Sequence, residues 1–196
     1  MKTVLVYLVA TVGFAVPAFA QTAVQVAKID TYVASVKRIT NSKRQPKIVV
    51  ADAGDYETNK TDWRKFDSEK ALEKFRETTE TYSIAYNWKA GGKLVASNFT
   101  DFSPSGDWAQ YTFHFFRPDG SIAKVEAEMR TFMGDYIIIR DYYLDEKGKV
   151  IKMKSRYLDL MSRKPKRPRK EMTAPDYFTP EFFTNVDKLP FAALVK

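Results

Sequence analysis

The sequence predicts a mainly β (α+β) fold: an antiparallel meander of about six strands, forming a strongly curved sheet or partial barrel, with an N-terminal helix and a short C-terminal helix packed on it. Three observations carry this. Between residues 81 and 160 apolar and polar side chains alternate one by one, as in strands with one buried face. Turn chemistry punctuates the alternation at Gly91-Gly92, Ser103-Pro104-Ser105-Gly106-Asp107, Arg117-Pro118-Asp119-Gly120, Met133-Gly134-Asp135 and Asp145-Glu146-Lys147-Gly148. The 14 Phe and 11 Tyr add a composition that suits a pleated surface.

The first residues follow the pattern of a cleavable export signal. Lys2 supplies charge, residues 4–16 form an apolar run too short to span a bilayer, Pro17 ends it, and Ala18-Phe19-Ala20 offers a small-x-small cleavage site. The expectation is a signal over 1–20 and one β-rich domain over 21–196, exported to the periplasm or secreted, soluble, with no transmembrane segment once the signal is removed. There is no cysteine, so neither a disulfide nor a lipidated cysteine is available, and a packed core must supply the stability.

Residues 22–39 read as an amphipathic helix, because Val26, Ile29, Tyr32, Val33 and Val36 recur at three- and four-residue steps. Residues 47–53, with Ile48, Val49 and Val50, read as a short strand. The polar stretch 55–67 shows no period and holds Trp63 and Phe66 as anchors. A short helix over 68–78 is predicted from Ser68 as N-cap and the stripe Ala71, Leu72, Phe75.

The meander follows. Tyr82, Ile84, Tyr86 and Trp88, then Tyr111, Phe113 and Phe115, then Ala123, Val125, Ala127 and Met129 alternate with polar neighbours, which predicts one dry and one wet face. Gly92, Gly120 and Gly148 lie 28 residues apart and open similar phrases, the mark of a repeated hairpin. Beyond the meander, 163–170 is too basic and too proline-rich for a central strand or a helix, and reads as an extended, solvated linker. Residues 171–196 should dock back on the dry face, with a helix opening at Thr179-Pro180 and carrying Phe182 and Phe183.

Functional signals are few. With a single His and no Cys, a Cys/His pair and a conventional zinc site are excluded by count, and His114, on the face opposite Tyr111, Phe113 and Phe115, reads as an ordinary surface or cross-strand residue. No catalytic residue, metal ligand or cofactor is assigned. Asp101 and Asp107 bracket a turn and would be the pair for a carboxylate hydrolase. Glu126 and Glu128, among Lys124, Arg130, Lys152, Lys154 and Arg156, read as ion pairs on a solvated sheet face.

The net charge of +8 is local: Arg163, Lys164, Lys166, Arg167, Arg169 and Lys170 fall within eight residues, and the rest of the mature chain is nearly balanced. Such a run suits an anionic envelope polymer or lipid headgroups, while the absence of interleaved aromatics argues against single-stranded nucleic acid. The leading expectation is therefore a non-enzymatic binding or scaffold protein of the cell envelope. The alternative is a carrier for an apolar or lipid-like ligand on a concave aromatic face made of Tyr82, Tyr86, Trp88, Tyr111, Phe113 and Phe115.

Overall fold

The computed structural model describes residues 18–42, 47–55, 57, 58, 60–174 and 176–196. The export signal read over 1–20 lies outside these residues as far as residue 17. The long helix α1 spans Ala18–Thr40 and buries Val26, Ile29, Val33 and Val36, the stripe that the spacing predicts. Strands β1 (Ile48–Asp52) and β2 (Trp63–Phe66) form a hairpin, and α2 (Glu69–Arg76) follows, capped by the Ser68 hydroxyl, which accepts from the Ala71 N–H at 3.1 Å.

Then come β3 (Ser83–Ala90), β4 (Lys93–Phe102), β5 (Trp108–Phe116), β6 (Ile122–Thr131), β7 (Tyr136–Leu144) and β8 (Val150–Asp159). All eight strands join one open antiparallel sheet in the order β2-β1-β3-β4-β5-β6-β7-β8, two more than the predicted meander because β1 and β2 extend it past β3. The region 55–67, read as irregular, contains β2. Its central residues Arg64 and Lys65 are both exposed, as suits an edge, and four residues are too few to show a period.

The hairpins β3–β4, β5–β6 and β7–β8 are built alike. Each has a glycine at positive φ after its turn (Gly92, 79°; Gly120, 86°; Gly148, 78°), and each has a register shift beside that turn, at Trp88/Lys89, Phe115/Phe116 and Tyr143/Leu144. Ordinary alternation along β5 puts Phe115 beneath α1 and its neighbour Phe116 in the opposite layer, both 0% exposed, while Ala123, the residue left unpaired at the shift, joins Phe115 under α1.

The expectation of one dry and one wet face is corrected: the central strands are buried on both sides, while the edge strands β2 and β8 stay largely exposed. On one side α1 covers Trp88, Val95, Ala96, Phe115, Ala123 and Tyr143, and α2 covers Val49, Ala51 and Ile84. On the other side the C-terminal segment covers Val50, Phe99, Phe116, Ile122, Val125 and Tyr142, with Leu189, Phe191 and Val195 inserted among them. The tail thus lies opposite Trp88 and Phe115 rather than over them. Burying aromatic rings in both layers is what an abundance of Phe and Tyr permits in a chain without disulfides.

The predicted helix at Thr179-Pro180 is absent, and residues 179–183 have no regular structure. Phe182 goes to Tyr142 (ring centroids 5.5 Å apart) and Phe183 stacks on Phe99 (5.6 Å). The following residues pair with the start of β6, where the Ile122 N–H donates to the Thr184 carbonyl at 2.9 Å and the Val186 N–H to the Gly120 carbonyl at 3.0 Å. Beyond two single 3-10 turns, Glu171–Thr173 and Val186–Lys188, α-helix in this segment is confined to the last turn, α3 (Ala192–Val195). Arg140, 1% exposed in the middle of β7, anchors the segment before it: its guanidinium donates to the carbonyls of Phe178, Ala174 (2.9 Å) and Met172 (3.4 Å).

Candidate anion-binding surface

Beyond β8 the chain reverses through residues 160–163, with Arg163 at a φ of 56°, and runs back along the outer edge of the sheet. The Asp159 N–H donates to the Lys164 carbonyl at 2.9 Å, and the Lys166 N–H to the Tyr157 carbonyl at 3.0 Å. Pro165 sits between them opposite Leu158; a residue without an N–H is tolerated on such an edge. The reversal is pinned by Asp159, whose carboxylate accepts from the Ser162 N–H and hydroxyl, each at 2.9 Å, and from Lys166 at 3.0 Å. Those hydrogen bonds, the Ser162 N–H foremost, hold the Asp159 carboxyl far below the usual carboxylate range.

Lys166 is thereby separated from the other five predicted anion-binding residues. Its ammonium has three donors and meets three acceptors: the Gly134 carbonyl at 2.9 Å, the Asp135 carbonyl at 3.0 Å and Asp159. It also lies 4.5 Å over the Tyr136 ring. Arg163, Lys164, Arg167, Arg169 and Lys170 remain exposed, and among the described residues Lys166 alone of the six makes an ion pair. The run is extended, as predicted, yet it is moored: the Tyr136 hydroxyl donates to the Arg167 carbonyl at 2.8 Å, and the buried Met172 closes the stretch. Moored cations lose less freedom on meeting an anion than cations on a free linker would.

This surface adjoins a row of turns at the same end of the sheet. The Phe132 N–H donates to the Asp107 carbonyl at 3.2 Å and the Leu160 N–H to the Asp135 carbonyl at 2.9 Å, so the turns after β4, β6 and β8 stand side by side. Gly134 is favoured here by its φ of 78°, which side chains rarely adopt, and its missing Cβ lets the Arg169 guanidinium lie against the turn. Phe132, Met133 and Met161 project from these turns, 65%, 68% and 82% exposed. They carry no periodic signal, being apolar residues in turn positions; only their place beside Gly134-Asp135 and Ser162 marks them out.

Of the six residues of the expected aromatic face, the register puts Tyr86, Trp88, Tyr111, Phe113 and Phe115 on one side of the sheet, but it is the side that α1 covers rather than an open concavity. Trp88 and Phe115 are buried under α1, with Phe113 stacked between their rings at 5.4 and 4.7 Å. Tyr86 bridges the layers under α1 and α2, Tyr111 lies under the Arg130 guanidinium at 4.6 Å, and Tyr82 lines a small recess at the far end. An apolar ligand on Trp88, Phe113 and Phe115 would have to displace α1.

The charged side chains of that face are organised by α1 instead. Lys37 of α1 reaches Glu126 at 2.7 Å, Lys124 reaches Glu126 at 2.8 Å, and Asp30 accepts from the Tyr143 hydroxyl at 3.0 Å. Burial is the largest single influence and disfavours charge on both Lys124 and Glu126, but their mutual hydrogen bond, the Lys37 hydrogen bond to Glu126 and the attraction of the surrounding opposite charges together outweigh it, raising the lysine and lowering the glutamate. Asp141, directly across from Glu126, is pushed up by burial and has Arg156 at 3.7 Å. Glu128 pairs with Arg130 on its own strand, at 2.6 Å. The solvated ladder expected from the sequence is thus partly a helix-docking network.

Asp101 and Asp107 are not brought to one site. Asp101 accepts from Ser83 and lines a recess of about 190 Å³ with Asp52, Asp55 and Lys60, where burial raises its pKa. Asp107 accepts from the Ser105 hydroxyl at 2.7 Å within its own turn. His114, read as an ordinary surface or cross-strand residue, is instead 0% exposed among Phe99, Phe116 and Phe183, with Nδ1 3.2 Å from the Thr112 carbonyl. Burial lowers its pKa to about 4, so the ring is neutral at pH 7. A cleft of about 540 Å³ lies beside α1 between Lys28, Tyr32, Arg117 and Ile151. The Arg117 guanidinium is already committed to the carbonyls of Ile122 and Leu144, the latter at 2.7 Å.

No group of metal-ligating side chains occurs among the described residues, and none of the described helices is long and apolar enough to cross a membrane. Comparison with protein-family models, with curated proteins and with solved structures gives no match. The exposed basic edge is the feature whose chemistry most directly suits a partner.

Proposed function

We propose that the protein is an exported, non-enzymatic binding protein of the cell envelope that holds a polyanionic partner on Arg163, Lys164, Arg167, Arg169 and Lys170. The observation that carries this reading is the mooring of the run: Lys166 is used up fastening it to β8 and to the Gly134 turn, while the five remaining cations stay in solvent. Cations spaced along an extended edge match a linear or planar array of anionic groups better than a single small anion, which a concave pocket would enclose. The export part of the reading rests on the pattern at Lys2, residues 4–16 and Ala18-Phe19-Ala20.

The test is retention on a dextran sulfate matrix across a salt gradient. The comparison is a variant with Arg163→Asn, which tolerates the left-handed backbone, and Lys164, Arg167, Arg169 and Lys170 replaced by Ser. Lys166 is kept so that the edge stays in place. The wild type should elute late and the variant near the void; equal elution would overturn the reading. Cleavage after Ala20 is checked by the N-terminal sequence of the protein secreted from its own cells.

A further inference from the structure

The basic edge and the turns beside it belong to one surface. Phe132 and Met133 stand at the tip of the β6–β7 turn and Met161 at the tip of the turn after β8, all three largely in solvent. Trp108, 36% exposed, begins the neighbouring strand β5 and faces Thr131 across the ladder. The main-chain bonds from Phe132 to Asp107 and from Leu160 to Asp135 keep these tips adjacent. The Lys166 ammonium on the Gly134 and Asp135 carbonyls, and the Arg169 guanidinium against Gly134, place the cations immediately behind them. The acidic residues on the same turns are Asp107, bonded to Ser105, Asp135, and Asp159, neutralised by Lys166.

We infer that this end of the sheet docks on an anionic lipid bilayer, with Phe132, Met133 and Met161 entering the interface and Arg163, Lys164, Arg167, Arg169 and Lys170 lying among the headgroups. This deepens the proposed function and rests on it. The apolar tips are what favour a bilayer over a polymer: a hydrated polyanion offers nothing to unbranched and aromatic side chains, whereas the headgroup–acyl boundary accepts them while phosphates meet the cations. Neither contribution suffices alone, since stable attachment at a surface takes an apolar and an electrostatic signal together.

The experiment is sedimentation with phosphatidylcholine vesicles containing about one-quarter phosphatidylglycerol, and with pure phosphatidylcholine vesicles. The proteins are the wild type, the five-cation variant above, and a tip variant with Phe132, Met133 and Met161 replaced by Ser. The wild type should bind the anionic vesicles and leave the neutral ones. The tip variant, whose substitutions lie in solvent and leave the melting temperature unchanged, should lose about tenfold or more in vesicle affinity while eluting from dextran sulfate like the wild type. Vesicle binding by the tip variant equal to that of the wild type would overturn the bilayer inference and leave the polyanion reading standing. Equal elution of the wild type and five-cation variant from dextran sulfate would overturn the reading beneath it.

Discussion

Between about pH 6.5 and pH 4, acidification should destabilise this protein through His114. In the folded chain the imidazole is enclosed by Phe99, Phe116 and Phe183 and resists protonation until about pH 4. In the unfolded chain it titrates near its ordinary value of 6.5. The unfolded state therefore binds the extra proton first as pH falls: stability is complete above about 6.5, declines between about 6.5 and 4, and is level below that. At about 1.36 kcal/mol per unit, the penalty accumulated between pH 7 and pH 4.5 is about 2.5 kcal/mol. The perturbation is His114→Phe, which keeps a planar ring in an aromatic setting, and the assay is urea unfolding of both proteins at about pH 7 and pH 4.5. Carboxylates such as Asp101 and Asp141 titrate in both proteins and cancel in the comparison. The wild type should lose about 2.5 kcal/mol more than the variant on acidification. If the two lose the same amount within about 0.5 kcal/mol, the buried, neutral histidine is refuted.

Two further outcomes follow from the packing. Arg140→Met should remove the hydrogen bonds to the carbonyls of Met172, Ala174 and Phe178, costing about 3 kcal/mol and opening the chain after Lys170 to limited proteolysis at concentrations that leave the wild type intact. Glu126→Gln should leave Lys124, whose side chain is 7% exposed, with Asp30 at 3.5 Å as its remaining carboxylate partner in the ion-pair network. It should also free Lys37, so amide exchange in α1 should accelerate with a stability loss of about 2 kcal/mol. Because Glu126 is held below its ordinary pKa, its contribution is present above the unfolded carboxylate value and fades as pH falls through the lower folded one.

The repeating side chains made the strands legible. Alternation from Tyr82 to Trp88 and from Tyr111 to Phe115 located β3 and β5, and the spacing of Gly92, Gly120 and Gly148 located three like hairpins. The layers were not legible, because alternation records that a side chain is buried but not by what. Phe113 and Val125 look equivalent in the sequence, yet register places them on opposite faces, Phe113 across from Glu126 and Val125 across from His114. Bulges compound this by turning successive residues of one strand into the same core, as with Val95 and Ala96 under α1. For the candidate surface, the basic run was evident from charge alone. Its mooring was not, since it depends on Lys166 meeting carbonyls more than thirty residues earlier in the chain. Phe132, Met133 and Met161 escaped notice because a lone apolar residue in a turn has no pattern to break.

The length of α1 limits how many hairpins this architecture can carry. Its 23 residues reach about 35 Å, and strands about 4.8 Å apart make that roughly seven strands at a right-angle crossing. The helix in fact touches β3, β4, β6 and β8, nearly the full width of the meander, and α2 takes over beneath β1. Duplicating another hairpin beyond β8 would add a unit whose alternating rings point both up and down, with no roof left above and no tail below. Growth by tandem copying is therefore stopped by the cover, and a longer homologous array would need a longer first helix before it could gain a strand.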